Sequence, residues 1–384
     1  MVNHLLTRLT FAVIATNRSL LIGLALLVSA CADPGPAVIP TDIDTANIKA
    51  SLAALTALRI ERHQRLILDA ESLRRSIDEL LLVPDSQHQQ TAQAAWRNAH
   101  LAFIDLATLP FAKPLIEPLV DSLAPLLYQI DAWPIEPGYL DTLPAYPDSG
   151  LISDLTVTIT PESLREQNGF TDSSEVSLGF HALEYLIFDR DSADFLVSTL
   201  ASPSVETTAD AQTNANEIIV RRRLVLDMIT TQITLDLDHW PTESTESAVD
   251  EAGIILTSEV DRLLAASLQT ARLAITEANR LLIPGEGHGI YSHSTGAALK
   301  GKVNGLNQIF FAPINLGKVL SPLAADAVAE LEKTLREAAD LCDLAAISEV
   351  QETRLGLVLL TLPDQIEALS AVMTKAMADA QVKS

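Results

Sequence analysis

One short segment gathers residue types that chemistry requires. Residues 175–191 read EVSLGFHALEYLIFDRD. On a helix, His181 and Glu184 stand at i and i+3 and leave neighbouring positions of one face. An imidazole and a carboxylate so placed can supply two ligands to a metal ion, or a base and the group that orients it. Gly179 lies two residues before the histidine. A glycine within a helix costs about 1 kcal/mol relative to alanine, a cost offset where a second backbone or a ligand must come close. The structural alternative is a histidine hydrogen-bonded inside a helix interface. The order is the reverse of the Glu-x-x-His of di-iron bundles, and the chain contains no His-Glu-x-x-His.

Other candidates are more scattered. His288 and His293 lie in the glycine-rich stretch GEGHGIYSHSTG, from which either could approach the first bundle, which holds the His181 helix, and complete a site; a solvated loop position is the alternative for each. His100 could face the same helix, with a surface or boundary position as the alternative. Asp131, Asp141 and Asp154 could add carboxylate ligands, although capping and turn formation account for such aspartates. Arg221-Arg222-Arg223 is the single basic cluster, read as a salt-bridged helix start with substrate-anion contact as the alternative. The glycine-rich stretch has no P-loop pattern, and Ser292 has no G-x-S-x-G elbow.

The elements that must position these residues are helices. Apolar residues recur at helical spacing over 45–83, 91–109, 114–129 and 174–188, and again over about 215–240, 246–282, 295–311, 322–346 and 349–381. From Trp133 to Gln167 prolines and glycines break the pattern into a long connection, of the kind that often carries function. Only Leu155–Ile159 alternates like a strand. The polar stretch 201–214 reads as a linker or long loop between two halves. The expected fold is therefore all-α, with a helical bundle over 45–200 and a second over 215–384. Phe-Ala near a proline ends a helix in both halves, at Phe111-Ala112 and at Phe311-Ala312, a weak internal echo.

The first 30 residues carry Arg8 and Arg18 and no acid, then an apolar run from Leu20 to Val28. That run is too short to span a bilayer, which takes about 20 residues, and suits a signal peptide. Val28-Ser29-Ala30-Cys31 resembles a bacterial lipobox, so residues 1–30 read as a lipoprotein signal, Cys31 as the lipidated residue and 31–44 as a tether. Ala32 after the cysteine favours an outer-membrane lipoprotein facing the periplasm, with a secreted protein as the alternative. Cys342 then remains as a buried hydrophobe without a disulfide partner. The 384 residues hold 26 Lys+Arg against 50 Asp+Glu, and a net charge of −24 excludes a nucleic-acid partner, which needs a basic footprint.

Gly179-Phe180-His181-Ala182-Leu183-Glu184 resembles the G-x-H-x-x-E signature of the imelysin family, also described as insulin-cleaving membrane proteases or iron-regulated proteins. Ala95-Trp96-Arg97-Asn98-Ala99 resembles the early Ala-Trp helix of that family. Trp133-Pro134, Tyr139-Leu140-Asp141 and Ser149–Asp154 resemble the segment before the signature, and Arg222–Trp240 and Ser292–Phe310 resemble later segments. The resemblance spans about residues 45–380 and is strongest over 130–190. It implies an all-helical, secreted or lipid-anchored protein of two bundles, with the signature near their interface. It also implies His181 and Glu184 as metal ligands, a peptidase assignment, and a separate association with iron uptake. Family members often carry an acid near the end of the Ala-Trp helix; here Ala107 stands in that region and Asp105 is the nearest acid.

The expectation is an envelope-anchored protein that binds a divalent metal ion (iron or zinc) or a small ligand at the bundle interface. His181 and Glu184 would be the ligands, with Gly179, Arg222, His293 and His100 around them. Iron or metal uptake would be its role, with envelope proteins of that process as partners. A metallopeptidase using the same two residues is the second reading, and needs a further ligand, since catalytic zinc takes three protein ligands plus an open position. A scaffold lipoprotein without metal is the third.

Overall fold

A long first helix links everything that follows. α1 (Thr45–Leu82) starts where the Asp44 side chain accepts a hydrogen bond from the Ala46 backbone N–H, and runs for 38 residues. Described in this computed structural model are residues 44–111, 119–146, 148–197, 209–241, 253–281, 288–344 and 349–383. The signal, the Cys31 lipidation and nearly all of the tether fall outside them, as does most of the 201–214 linker. Helices α2 (Ser86–Ala107), α3 (Leu119–Asp131), α4 (Pro137–Leu140), α5 (Pro161–Gln167) and α6 (Gly179–Phe188) follow α1. After a 3-10 turn at Ser192–Phe195 come α7 (Ala209–Asp238), α8 (Gly253–Leu281), α9 (Thr295–Phe310), α10 (Leu316–Leu344), α11 (Glu349–Leu359) and α12 (Leu362–Lys383). The chain is all-α, and among the described residues the only β feature is one isolated bridge, Leu143 to Tyr146.

Two apolar clusters hold these helices. The first joins the second half of α1 (Leu66, Leu73, Ile77) to α2, α6 and α7, the last through Val225, Leu226, Ile229 and Ile233. The second joins the first half of α1 (Ile48, Leu52, Leu55) to α8, α9, α10, α11 and α12. The clusters thus divide after Trp240, C-terminal to α7, and not within the polar stretch 201–214. Apolar periodicity identifies α7 as amphipathic, but does not say which bundle its apolar face meets. Both clusters lie in one compact unit.

Several boundaries differ from the periodicity. The strand-like Leu155–Ile159 is no strand, because the Arg221 guanidinium gathers the carbonyls of Leu151, Ile152, Asp154 and Val157 and curls the segment around itself. α10 starts six residues before Pro322 and kinks at Ala324, whose φ is −154°. The helix expected over 349–381 is two, α11 and α12, restarting at Leu362-Pro363, where a proline suits a first turn. Thr353–Asp379 has the length and hydropathy of a membrane span. Yet its Leu355, Leu359, Leu362, Ile366, Leu369 and Met373 are core residues of the second cluster.

Candidate metal centre

The signature helix begins later than its apolar pattern suggests. The N–H groups of Ser177 and Leu178 both donate to Asn168 Oδ1, at 2.9 and 3.2 Å, which holds them in a turn. Gly179 follows with φ +84°, and a Cβ there would lie 2.6 Å from the carbonyl oxygens of Gln129 and Ile130. Only glycine lets α6 approach the end of α3 this closely. That approach delivers Asp131, the last residue of α3, to His181.

Four side chains converge there. Donor atoms of His100, Asp131, His181 and His288 all lie within 4.8 Å of one another. His181 Nε2 stands 2.7 Å from His288 Nε2 and 3.2 Å from Asp131 Oδ1. His100 Nε2 is 2.9 Å from Asp131 Oδ1, and His288 Nε2 is 3.5 Å from Asp131 Oδ2. His100 and His181 are fully buried, His288 is 6 % exposed and the Asp131 side chain 17 %. Aromatic rings wall the cluster: Trp133 packs 4.8 Å from the His181 ring, and Trp96 4.6 Å from the His100 ring. Trp96 Nε1 donates to the Phe180 carbonyl at 2.8 Å, tying α2 to α6.

Glu184 stands behind this group, not within it. Its Oε2 accepts from His181 Nδ1 at 2.8 Å, and its Oε1 accepts from the Ser292 backbone N–H at 2.8 Å. A carboxylate on Nδ1–H fixes the imidazole tautomer and aims Nε2 at the cluster. Glu184, expected as a ligand, is not among the four clustered donors, and its two oxygens are taken by His181 and Ser292.

Electrostatics follow from burial and these contacts. Burial pulls His181 down, but hydrogen bonds to Asp131 and Glu184 outweigh it and raise the group to about 9. Burial pushes Asp131 up, yet His288 and His100 hold it well below the usual carboxylate range. Glu184 is likewise pushed up by burial and brought below its ordinary value by His181 and Ser292. His100 and His288 are both lowered, chiefly by burial. His181 is then the cation of the metal-free cluster, its Nε2–H directed between His288 Nε2 and Asp131. A metal ion bound to His181 Nε2 would take the place of that proton.

The donor set fits a metal. Three imidazoles and a carboxylate suit a divalent first-row ion, zinc or iron included. With His181 deprotonated, a divalent charge balances the two carboxylates, so the buried cluster becomes neutral, as a low-dielectric site requires.

Other expected residues lie elsewhere. Arg222 forks onto Asp141, Nε to Oδ2 at 2.7 Å and a terminal nitrogen to Oδ1 at 3.1 Å. This pins α7 to the turn after α4, with Arg190 on the same carboxylate at 3.4 Å. His293 is exposed and outside the group, whereas His288, five residues earlier, is inside it. The Ala-Trp helix brings His100 to the cluster, not an acid near its end; Asp105 instead pairs with Arg62 at 3.2 Å. Asp154 is exposed and caps a turn through Thr156. Asp131 and His288 carry little local signal, one being a helix-end aspartate before Trp-Pro and the other a histidine between two glycines.

Comparison with known proteins agrees with this architecture. The family model described as Imelysin matches residues 60–376. No curated protein matches. A crystal structure described as an iron-regulated protein A precursor from Parabacteroides distasonis superposes with a TM-score of 0.55 at 12 % identity, covering 89 % of this chain and 97 % of that one. An imelysin-like protein from Psychrobacter arcticum gives 0.50 at 17 % identity, covering 90 % and 98 %.

Proposed function

The chain belongs to the imelysin family, and from that premise we propose that it binds one divalent metal ion through His100, Asp131, His181 and His288 as part of iron or other metal acquisition. The observation that carries this reading is the convergence of three buried imidazoles and the half-buried Asp131 carboxylate, backed by a second carboxylate that aims one of the imidazoles. The link to iron draws on the solved relative described as iron-regulated. The apolar run ending at Cys31 supports an envelope lipoprotein, anchored in the outer membrane and facing the periplasm. Loss of palmitate labelling in Cys31→Ser would support the anchor, and unchanged labelling would remove it.

Burial favours capture over peptidase chemistry. A catalytic zinc site keeps a position open for water, whereas four protein donors would fill a tetrahedral set here. Glu184, the carboxylate a peptidase would use as a base, already accepts from His181 and Ser292. Elemental analysis of protein purified from its own envelope should find about one metal ion per chain, and His181→Ala should lose it while keeping its helical circular dichroism. Equal metal content in that variant would overturn the assignment. Chelator-sensitive cleavage of a protein substrate, lost in Glu184→Ala, would install the peptidase reading instead.

A further inference from the structure

Three of the four donors are built into the first apolar cluster. His100, Asp131 and His181 sit on α2, α3 and α6, whose side chains Ala99, Phe103, Ile130, Phe180 and Leu183 are core. Moving any of them would break that core. His288 differs, because it opens a turn that leads into α9, and α9 belongs to the second cluster.

The turn from His288 to Ser294 is closed on itself. The Ser294 N–H donates to the Gly289 carbonyl at 3.0 Å, and the hydroxyls of Ser292 and Ser294 are 2.7 Å apart. Gly289 has φ +79°, and a Cβ there would meet Ser294 Oγ at 2.4 Å. It is a preformed unit held by its own hydrogen bonds. Besides His288 itself, it meets the first bundle through Ser292 and Tyr291: the Ser292 N–H donates to Glu184 Oε1 at 2.8 Å, and the Ser292 carbonyl accepts from Arg97 Nε and a terminal nitrogen at 3.1 and 3.0 Å. Tyr291 adds a ring contact with Tyr185 at 5.3 Å. The Arg97 guanidinium is itself held over the Phe188 ring at 4.6 Å.

We infer that the turn 288–294 is the gate of the metal site and that Arg97, together with Glu184, is its latch. This rests on the metal-binding reading above. The ion meets His100, Asp131 and His181 while the turn is lifted, and His288 closes on it last. Opening takes this route because it breaks the polar contacts of Ser292 and His288 and the Tyr291 packing, whereas moving His100, Asp131 or His181 disturbs helices whose neighbouring side chains are core. Arg97 is a positioning residue that touches no ion.

A gate leaves a kinetic signature. Loosening a latch present in both free and loaded protein raises the entry rate and the exit rate together and leaves their ratio nearly unchanged. Zn2+ capture and its release to excess chelator should be followed by stopped flow in the full chain and in Arg97→Met. Both rates are expected to rise about tenfold with Kd within threefold of wild type, and Arg97→Lys should fall between. Unchanged rates, or a faster release alone, would overturn the gate while wild-type Zn2+ binding kept the site. A wild-type chain that takes up no Zn2+, Fe2+ or Mn2+ would overturn both. Hydrogen exchange of the wild-type chain needs no variant: the Ser292 amide should exchange faster than those of α2 and α6 without metal and slow on adding Zn2+. Exchange as slow as the helices in metal-free protein would also sink the gate.

Discussion

Glu184 uses its two oxygens for two tasks, orienting His181 and holding the Ser292 backbone. An outer carboxylate of this kind is typically worth 10–100-fold in metal affinity. Glu184→Gln should therefore weaken Zn2+ binding by that order with the stoichiometry kept at one, as calorimetry would read. Complete loss of the site would mean that Glu184 is a ligand after all. His181 adds a pH dependence. Burial opposes its charge, but Asp131 and Glu184 lift it to about 9, above its ordinary 6.5. In metal-free protein its ion pairing therefore stabilises fully below pH 6.5 and is lost as pH rises through 9. His100 and His288, held neutral by burial, exert their effect below 6.5 and outside that window. A metal ion replaces the proton, so the increment from Zn2+ should grow over the same range. Urea midpoints from pH 6 to 9.5, with and without Zn2+, would be flat if His181 carried no such charge.

At the scale of elements, the α3–α6 contact decides whether the centre exists. Gly179 supplies a left-handed turn and leaves room for two carbonyls of α3. Gly179→Ala adds strain of about 1–3 kcal/mol and a clash that shifts the end of α3 and Asp131 with it. Urea unfolding should show the lost stability, and a Zn2+ titration the lost affinity; wild-type values in both would mean the contact is not required. That glycine, His181 and Glu184 were legible in the sequence because they lie within six residues and share one helix. α7 was legible as an amphipathic helix but not as a member of the first cluster, since periodicity gives a face and not its partner. The partner of Arg222 was not legible for the same reason: an arginine in a basic run can meet many acids, and only the packing of α7 chose Asp141.

For the whole molecule, the four donors join helices of both clusters, three from the first and His288 from the segment that enters the second. A bound ion would tie the two together. A ligand at 100 times its Kd adds about 2.7 kcal/mol to the folded state, and here that energy bears on both clusters. Chelator treatment of loaded protein should lower Tm by several degrees. The loss should be absent in His181→Ala, whose Tm should not respond to added Zn2+. An equal response in that variant would place the stabilising metal elsewhere.

By itself the sequence determined the helices, the acidic surface and the family, because periodicity, charge and a short signature are properties of neighbouring residues. It also placed His181 and the glycine that admits it. Only the tertiary structure decided the company His181 keeps. His288 lies 107 positions away and His100 touches Asp131 across 31, and no local rule ties residues so far apart. Their burial, and so their value as ligands, arises when α2, α3, α6 and the turn before α9 close on one point and exclude water.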